Sequence, residues 1–546
     1  MKNFKDKVVY QIYPKSFKDT NHDGIGDLNG VTEKLDYLKK LGADMLWLTP
    51  FFISPQNDNG YDVENYYEID PRYGTLEDLK RLIHEAKKRD IGLMFDMVFN
   101  HTSTHHEWFK KAMAGDPYYK DFYFFKKGKD HQPPTNWESK FGGNAWEYVE
   151  AFDEYYLHLF DVTQADLNWE NPNVRKEMAK IVNYWLELGV TGFRFDVINL
   201  ISKESFEDDF TGVGKRFYTD CKKVNDYLRE LNEHSFGRCQ HTMTVGEMSA
   251  TTIENCLRYS KQENHELDMT FNFHHLKVDY LNKEKWTLMP FDFKELKQLF
   301  NDWQIGMQEG GGWNALFWCC HDQPRIVSRF GNDQEYHRES AKMLATSIHM
   351  MRGTPYIYQG EELGMTNAYF TDLKQYRDVE SINHFHILKK QGLSDDEIYA
   401  ILQSKSRDNA RTPMQWDHTL NAGFSDQTPW IEVNSNYTKI NAEEALKDPN
   451  SIFYHYTKLI QLRKQYSVIQ EGEYIPLLED SDQVFAYLRR LGSKMLLVLN
   501  NFYPQEAAIQ LEDIADYELL LSNYPEQPLK QELILRPYES CVYYRE

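Results

Sequence analysis

The sequence predicts an α/β protein: a (β/α)8 barrel with an inserted domain after the third strand and a C-terminal antiparallel β-sandwich. Three observations lead there. Eight short apolar, β-rich runs recur between longer helical patterns, the mark of βα units around a parallel sheet. A stretch between the third and fourth runs is far longer than a βα loop needs. After the last helical pattern, apolar and polar residues alternate in short segments separated by turn residues.

Taken in order, the eight runs are VVYQIYP from Val8, MLWLTP from Met45, GLMFDMVFNH from Gly92, GFRFDVI from Gly192, MTVGEM from Met243, MTFNF from Met269, ALFWCCHD from Ala315 and TPYIYQGEE from Thr354. The stretch 102–171 is rich in aromatics, glycine and proline and is assigned as the inserted domain. A charged segment then ends in RDNARTPMQW, and helical periodicity resumes around 451–466, where the barrel closes. The barrel therefore takes 1–101 and 172–466. The sandwich takes 467–546, on the alternating patterns VFAYLRRL, KMLLVLNNF, YELLLS and SCVYYRE. No short repeat or low-complexity segment is visible.

At 546 residues the chain exceeds one ordinary domain. Its 12 Trp, 36 Tyr and 32 Phe supply a core and flat stacking surfaces of the kind sugars need. The formal charge of -22 excludes a nucleic-acid groove or an anionic membrane as main partner, because both require concentrated Lys and Arg. MKNFKDKVVYQIYP reaches a strand at once, leaving no room for a signal core, and no run approaches a membrane span. A soluble, cytoplasmic chain is expected. The six cysteines show no CxxC spacing, and Cys319 and Cys320 lie inside the seventh run, so reduced structural thiols are expected. No organic cofactor is expected.

In such a barrel the active site lies at the C-terminal ends of the strands. Those ends are acidic here. The third carries Asp96, Asn100 and His101, the fourth Arg194 and Asp196, the fifth Glu247, and the seventh His321 and Asp322. Glycoside hydrolysis with retention needs one carboxylate to attack the anomeric carbon and a protonated carboxyl about 5 Å away to serve the leaving oxygen. Asp196 and Glu247 fit those roles. Arg194, two residues before Asp196 on the same strand face, opposes protonation of the nucleophile. Glu247 needs a raised pKa to act as an acid near neutral pH. Asp322, with His321 and His101, is placed to bond sugar hydroxyls that tighten as the ring flattens. Alone, each of these residues reads more readily as a cap or satisfied polar group. Their convergence on one rim removes that reading.

DMVFNH, GFRFDVIN, VGEM and FWCCHD occur in the order of the four short motifs of glycoside hydrolase family 13, the α-amylase family, which the chain resembles from Tyr10 to its end. QADLN at 164–168 is similar to the signature of the oligo-1,6-glucosidase group and implies an exo-acting α-glucosidase. By position, the resemblance makes Asp196 the nucleophile, Glu247 the acid/base and Asp322 the stabiliser. It places His101, Arg194 and His321 in the glucose subsite and Asp62 of NGYDV paired with Arg411 at the far edge of the glucose, and Gln164 is a further expected substrate-binding residue. Phe141 and Phe160 either stack on the glucose or belong to the core. The run DTNHDGIGD at 19–27 sets oxygen side chains at alternate positions around a glycine turn. A structural calcium ion on Asp19, Asn21, Asp23, the Ile25 carbonyl and Asp27 is expected, a metal-free Asx turn being the plain alternative.

Val197 after the nucleophile goes, in this family, with α-1,6 or α,α-1,1 bonds rather than α-1,4 bonds. Four longer stretches, NWESKFGGNAW, LHLFDVTQADLNWEN, MTFNFHHLKVDYLNKEKW and GGGWNALFWCCHDQPR, resemble the phospho-α-glucosidase branch that hydrolyses trehalose 6-phosphate. Beside the sixth strand, His274, His275, Lys277 and Lys285 form a basic patch in an acidic protein, and His275, Lys277 and Lys285 are the expected phosphate ligands. The chain departs from the family at Cys221, Lys222 and Lys223, where relatives carry a Gly-Pro-Arg run, which alters the loop bordering the aglycone. Two alternatives stand beside this reading: an oligo-1,6-glucosidase or dextran glucosidase with a neutral substrate, and a non-catalytic barrel serving as partner subunit.

Overall fold

The computed structural model describes residues 4–130 and 132–546, in two compact units. The first comprises Trp47–His84 and Gly92–Phe273; the second holds the chain up to Leu46, Glu85–Ile91 and His274–Glu546.

All eight expected barrel strands are present. In the first unit β3 (Gly92–Val98), β4 (Gly192–Asp196), β5 (Met243–Glu247) and β6 (Met269–Phe271) pair side by side and parallel. Their registers set Arg194 level with Asp96 on one side and Val245 on the other. Phe95, Phe193, Phe195 and Val245 are wholly buried, as expected of a parallel sheet covered on both faces. In the second unit β1 (Val9–Ile12) pairs with β8 (Thr354–Tyr358), and β8 with the two-residue β7 (Ala315–Leu316). The strand β2 (Met45–Leu48) falls where the chain passes between units.

Sequence places Cys319 and Cys320 in the seventh strand; the structure ends that strand at Leu316. Both thiols instead serve the turn that follows, Cys319 Sγ accepting the Ile326 N–H at 3.2 Å and Cys320 Sγ the Asp322 N–H at 3.4 Å. All six cysteines are free.

Within 102–171 the chain forms small antiparallel sheets, His101–Ser103 with Gln164–Asp166, and Phe125–Lys126 and Trp146–Val149 flanking Glu154–Leu157. Trp137, Trp146, Leu157 and Leu159 share a core with Val197, Leu200 and Tyr218 from the segment after β4. A buried ion pair, Lys203 to Asp166 at 2.7 Å, joins the same two regions. A helix over Pro172–Glu187 then starts on an Asn171 cap with proline in its first turn, where no N–H is needed.

The helix expected around 451–466 runs Ile452–Gln465 from a Ser451 cap. Beyond it, β9 (Glu473–Leu477), β10 (Val484–Leu491), β11 (Lys494–Asn501), β13 (Glu518–Ser522) and β15 (Ser540–Arg545) form one antiparallel sheet in the order β9-β10-β11-β15-β13. A second pairs β12 (Ala507–Gln510) with β14 (Glu532–Leu535), and inward residues of both, such as Val484, Leu499, Ile509 and Leu535, make one core. Among the described residues no helix is long and apolar enough to cross a membrane.

Candidate active site

In the first unit, the strand ends bring three carboxyls onto one guanidinium. Arg194 Nη1 donates to Asp96 at 2.5 Å and to Asp196 at 2.7 Å, and Nη2 meets Glu247. Register explains this: β3, β4 and β5 are neighbours, so side chains at the same level face one another. The guanidinium is 1% exposed, and burial works against its charge, but Asp96 and Asp196 outweigh it and hold the cation firmly. Asp96 is buried too, which pushes its carboxyl up against the pull of Arg194; Trp47 Nε1 at 3.0 Å and Tyr61 OH at 2.9 Å donate to it. Trp47 and Tyr61 were not singled out from sequence. Asp196 and Glu247 keep 7% and 8% of their surface open, as groups that must reach a substrate require.

Val197, just after Asp196, sits in the left-handed region at φ 35°, ψ 40°. A β-branched residue there is strained by about 1–3 kcal/mol, which the buried surroundings must hold in place. The chain therefore turns sharply at the end of β4, directly after the carboxylate.

His101 is buried and held neutral by burial; its Nε2 lies 3.1 Å from the Tyr61 carbonyl and 3.2 Å from the Gln164 amide. Gln164, expected at the sugar, is wholly buried, donates to Asp58 at 3.1 Å and fixes the His101 ring. Phe160 lies over His101 with centroids 5.1 Å apart, and Phe141 packs edge-on against Phe160 at 5.7 Å. Phe160 also packs on the core of the inserted region. Asp62 accepts from Ser54 Oγ at 2.9 Å and from the Asn57 and Asp58 N–H groups at 2.9 and 3.1 Å, while burial pushes its carboxyl up.

In the second unit, Asp322 is the centre. Its Oδ1 lies 3.1 Å from Arg411 and 3.2 Å from Arg407, and its Oδ2 3.1 Å from His321 Nε2. Burial opposes ionisation, but these cationic neighbours win and hold the carboxyl well below the usual range. His321 is braced by Gln11 at 2.8 Å and by the Tyr13 ring stacked on it. Arg411 pairs with Asp322 and also donates to the His321 carbonyl at 2.9 Å. Asp378 binds Arg407 at 2.5 Å. Neither Asp378 nor Arg407 was singled out, although Arg407 stands four residues before Arg411 in the quoted run RDNAR, on the same side of one helical turn.

The basic patch needs one correction. The short helix His274–Leu276 turns His275 into the core, its Nε2 bonded to the Phe317 carbonyl at 2.9 Å among Phe300, Phe317 and Trp318, and burial pushes its pKa down to about 4. A neutral core imidazole offers a phosphate no charge. Lys277 is exposed, and Lys285 pairs with Glu380 at 2.7 Å.

The loop at 19–27 is built from oxygens suited to a hard cation, but they are spent on the chain itself. Asp19 accepts from the N–H groups of Asn21, His22 and Gly24 and from Ser425, Asp23 from Ile25, and Asp27 from Thr20 and Gly30. Among the described residues, Asp19, Asp23 and Asp27 do not gather their oxygens into one ligand cluster. In this arrangement the carboxylates serve the turn itself, and no step below passes through a metal.

The alpha-amylase catalytic-domain family matches residues 11–472, and the SusG-type alpha-amylase C-terminal domain matches 484–542. The chain belongs to the alpha-amylase family. This alpha-amylase-family chain is 59% identical to a trehalose-6-phosphate hydrolase of Bacillus subtilis, over 99% of this chain and 98% of the relative. It is 47% identical to an oligo-1,6-glucosidase of Halalkalibacterium halodurans, over 99% and 98%. The crystal structure of Bacillus licheniformis trehalose-6-phosphate hydrolase superposes with a TM-score of 0.96 at 56% identity, covering 100% of both chains. The (β/α)8 barrel, the glycoside-hydrolase class and a small-molecule sugar substrate expected from sequence are thus shown. The non-catalytic partner-subunit alternative falls away.

Proposed function

We propose that this chain is a retaining α-glucosidase that hydrolyses trehalose 6-phosphate to glucose and glucose 6-phosphate. The observation that carries the chemistry is Arg194 gripping Asp196 and Glu247 at once. Two carboxyls on the terminal nitrogens of one planar guanidinium supply the pair of groups that a retaining mechanism uses.

Asp196 Oδ forms a bond to the anomeric carbon as the glycosidic C–O bond breaks, and the Glu247 proton passes to the leaving oxygen. Water then attacks the same carbon, gives its proton to Glu247 and releases glucose from Asp196. Asp322, held ionised, accepts from sugar hydroxyls and stabilises the positive charge that grows on the ring. The substrate is supported by the higher identity to trehalose-6-phosphate hydrolases than to the oligo-1,6-glucosidase. Lys277 and Lys285 are candidate phosphate ligands in this reading, Lys285 exchanging Glu380 for phosphate. A cytoplasmic location accords with a charged sugar and with free thiols. The Lys285–Glu380 pair also favours the second reading, an oligo-1,6-glucosidase, since it can hold the hydroxyls of a neutral sugar.

Glucose release from trehalose 6-phosphate, trehalose and isomaltose at equal concentration decides between them. We expect preference for the phosphorylated sugar, lost in the Lys277→Ala, Lys285→Ala double variant. Preference for isomaltose would make the enzyme an oligo-1,6-glucosidase and the lysines surface charge.

A further inference from the structure

We infer that Lys140 is a specificity-determining residue that binds the phosphate of the leaving sugar; this rests on the trehalose 6-phosphate reading above. Lys140 belongs to the inserted region and is pinned there by its backbone N–H, which donates to the Leu159 carbonyl at 2.9 Å. Its side chain reaches to the end of β5. The Nζ donates to Ser249 Oγ at 3.2 Å and lies 5.7 Å from the centre of the Tyr218 ring and 5.9 Å from that of Phe160. Phe160 is the ring that covers His101. The ammonium thus hangs between the aromatic wall beside His101 and the segment that leaves Glu247.

Ser249 is a fixed anchor. Its N–H donates to Asn199 Oδ1 and its carbonyl accepts from Asn199 Nδ2, both at 2.9 Å, and Asn199 is itself wholly buried. Ser249 stands two residues beyond Glu247, in the bend where the chain leaves β5. Glu247 delivers its proton to the leaving oxygen, so the leaving sugar lies on its side of the reaction centre. A cation held just past Glu247 is placed to meet a charged group on that sugar. A phosphate is a far stronger acceptor for an ammonium than a serine hydroxyl, and charge-assisted bonds are about twice as strong as neutral ones. In a chain of formal charge -22 such a local cation also offsets the repulsion a dianion would meet. Glucose, isomaltose and aryl glucosides bring no anion to that charge.

The test is a split between substrates. Lys140→Met keeps the aliphatic stem against Phe160 and Tyr218 and removes the charge; Lys140→Arg keeps the charge. For Lys140→Met, KM for trehalose 6-phosphate is expected to rise about tenfold to a hundredfold, the loss of one charge-assisted bond, while kcat/KM for 4-nitrophenyl α-glucoside moves less than about twofold. Lys140→Arg recovers most of the loss. Inhibition of aryl-glucoside hydrolysis by glucose 6-phosphate weakens by the same factor in Lys140→Met, and inhibition by glucose does not move. Equal losses on both substrates, or an unchanged KM for the phosphorylated sugar, overturn the role of Lys140 while wild-type preference for trehalose 6-phosphate still upholds the substrate. Absence of that preference in the wild type overturns the substrate reading itself, and this inference with it.

Discussion

Replacing Arg194 by lysine tests whether one planar fork serving three carboxyls is what makes the site. Nη1 bonds Asp96 at 2.5 Å and Asp196 at 2.7 Å, and Nη2 bonds Glu247, all from a side chain 1% exposed. Lysine keeps the charge but ends in a single ammonium on a shorter reach, which cannot span the same three oxygens. At least one charge-assisted bond is lost, and two if the ammonium settles on Asp96. Each is worth about 1.5–3 kcal/mol, so kcat falls roughly tenfold to a hundredfold for one and to about ten-thousandfold for two. A buried carboxylate left without its cation also destabilises the fold by ~3–5 kcal/mol, which lowers Tm. The assay is kcat for 4-nitrophenyl α-glucoside, with near-UV circular dichroism and a thermal melt to establish that the variant is folded. A folded Arg194→Lys enzyme within about threefold of wild-type kcat would refute the reasoning, because it would show that point charge alone suffices.

Asp196→Asn and Glu247→Gln are each expected to stay folded and lose at least about a thousandfold in kcat, as removal of a group that acts on the reacting atoms does; near-wild-type rates in either sink the assignment. Glu361, just after β8, is buried and bonded to Tyr456 at 2.7 Å, and burial pushes its carboxyl up to about 7. An unfolded glutamate titrates near 4.3, so the folded state holds an extra proton between those values and loses stability as pH rises through 7. Glu361→Gln is therefore more stable than wild type at pH 8, by up to ~3 kcal/mol, and equal to it at pH 4 in guanidinium melts; a difference independent of pH would contradict this. Because the 19–27 loop spends its carboxylates on its own N–H groups, chelation by EDTA should leave kcat unchanged and shift Tm by less than about 1 °C. A larger fall restored by calcium would show that the loop rearranges around an ion.

Much of this was legible in the sequence, and the boundary between legible and hidden has a physical cause. Strands buried on both faces leave apolar runs, and carboxylates at their C-terminal ends stand at fixed offsets, so Asp196, Glu247 and Asp322 could be proposed from one dimension. The β7 run misled because its last residues are apolar for another reason: Cys319 and Cys320 turn their sulphurs onto N–H groups of the following bend instead of pairing in the sheet. His275 misled because a histidine beside lysines reads as charge, whereas a short helix after β6 turns it inward and burial strips the proton. Asp378 and Lys140 left no periodic trace at all. Asp378 binds an arginine 29 residues away and Lys140 a serine 109 residues away, and no local pattern encodes a partner at that separation. Hydrophobic periodicity records what an element does to its own neighbours. Side chains such as these answer to distant segments, so the reaction class is written along the chain while such pairings emerge only where the folded chain meets itself.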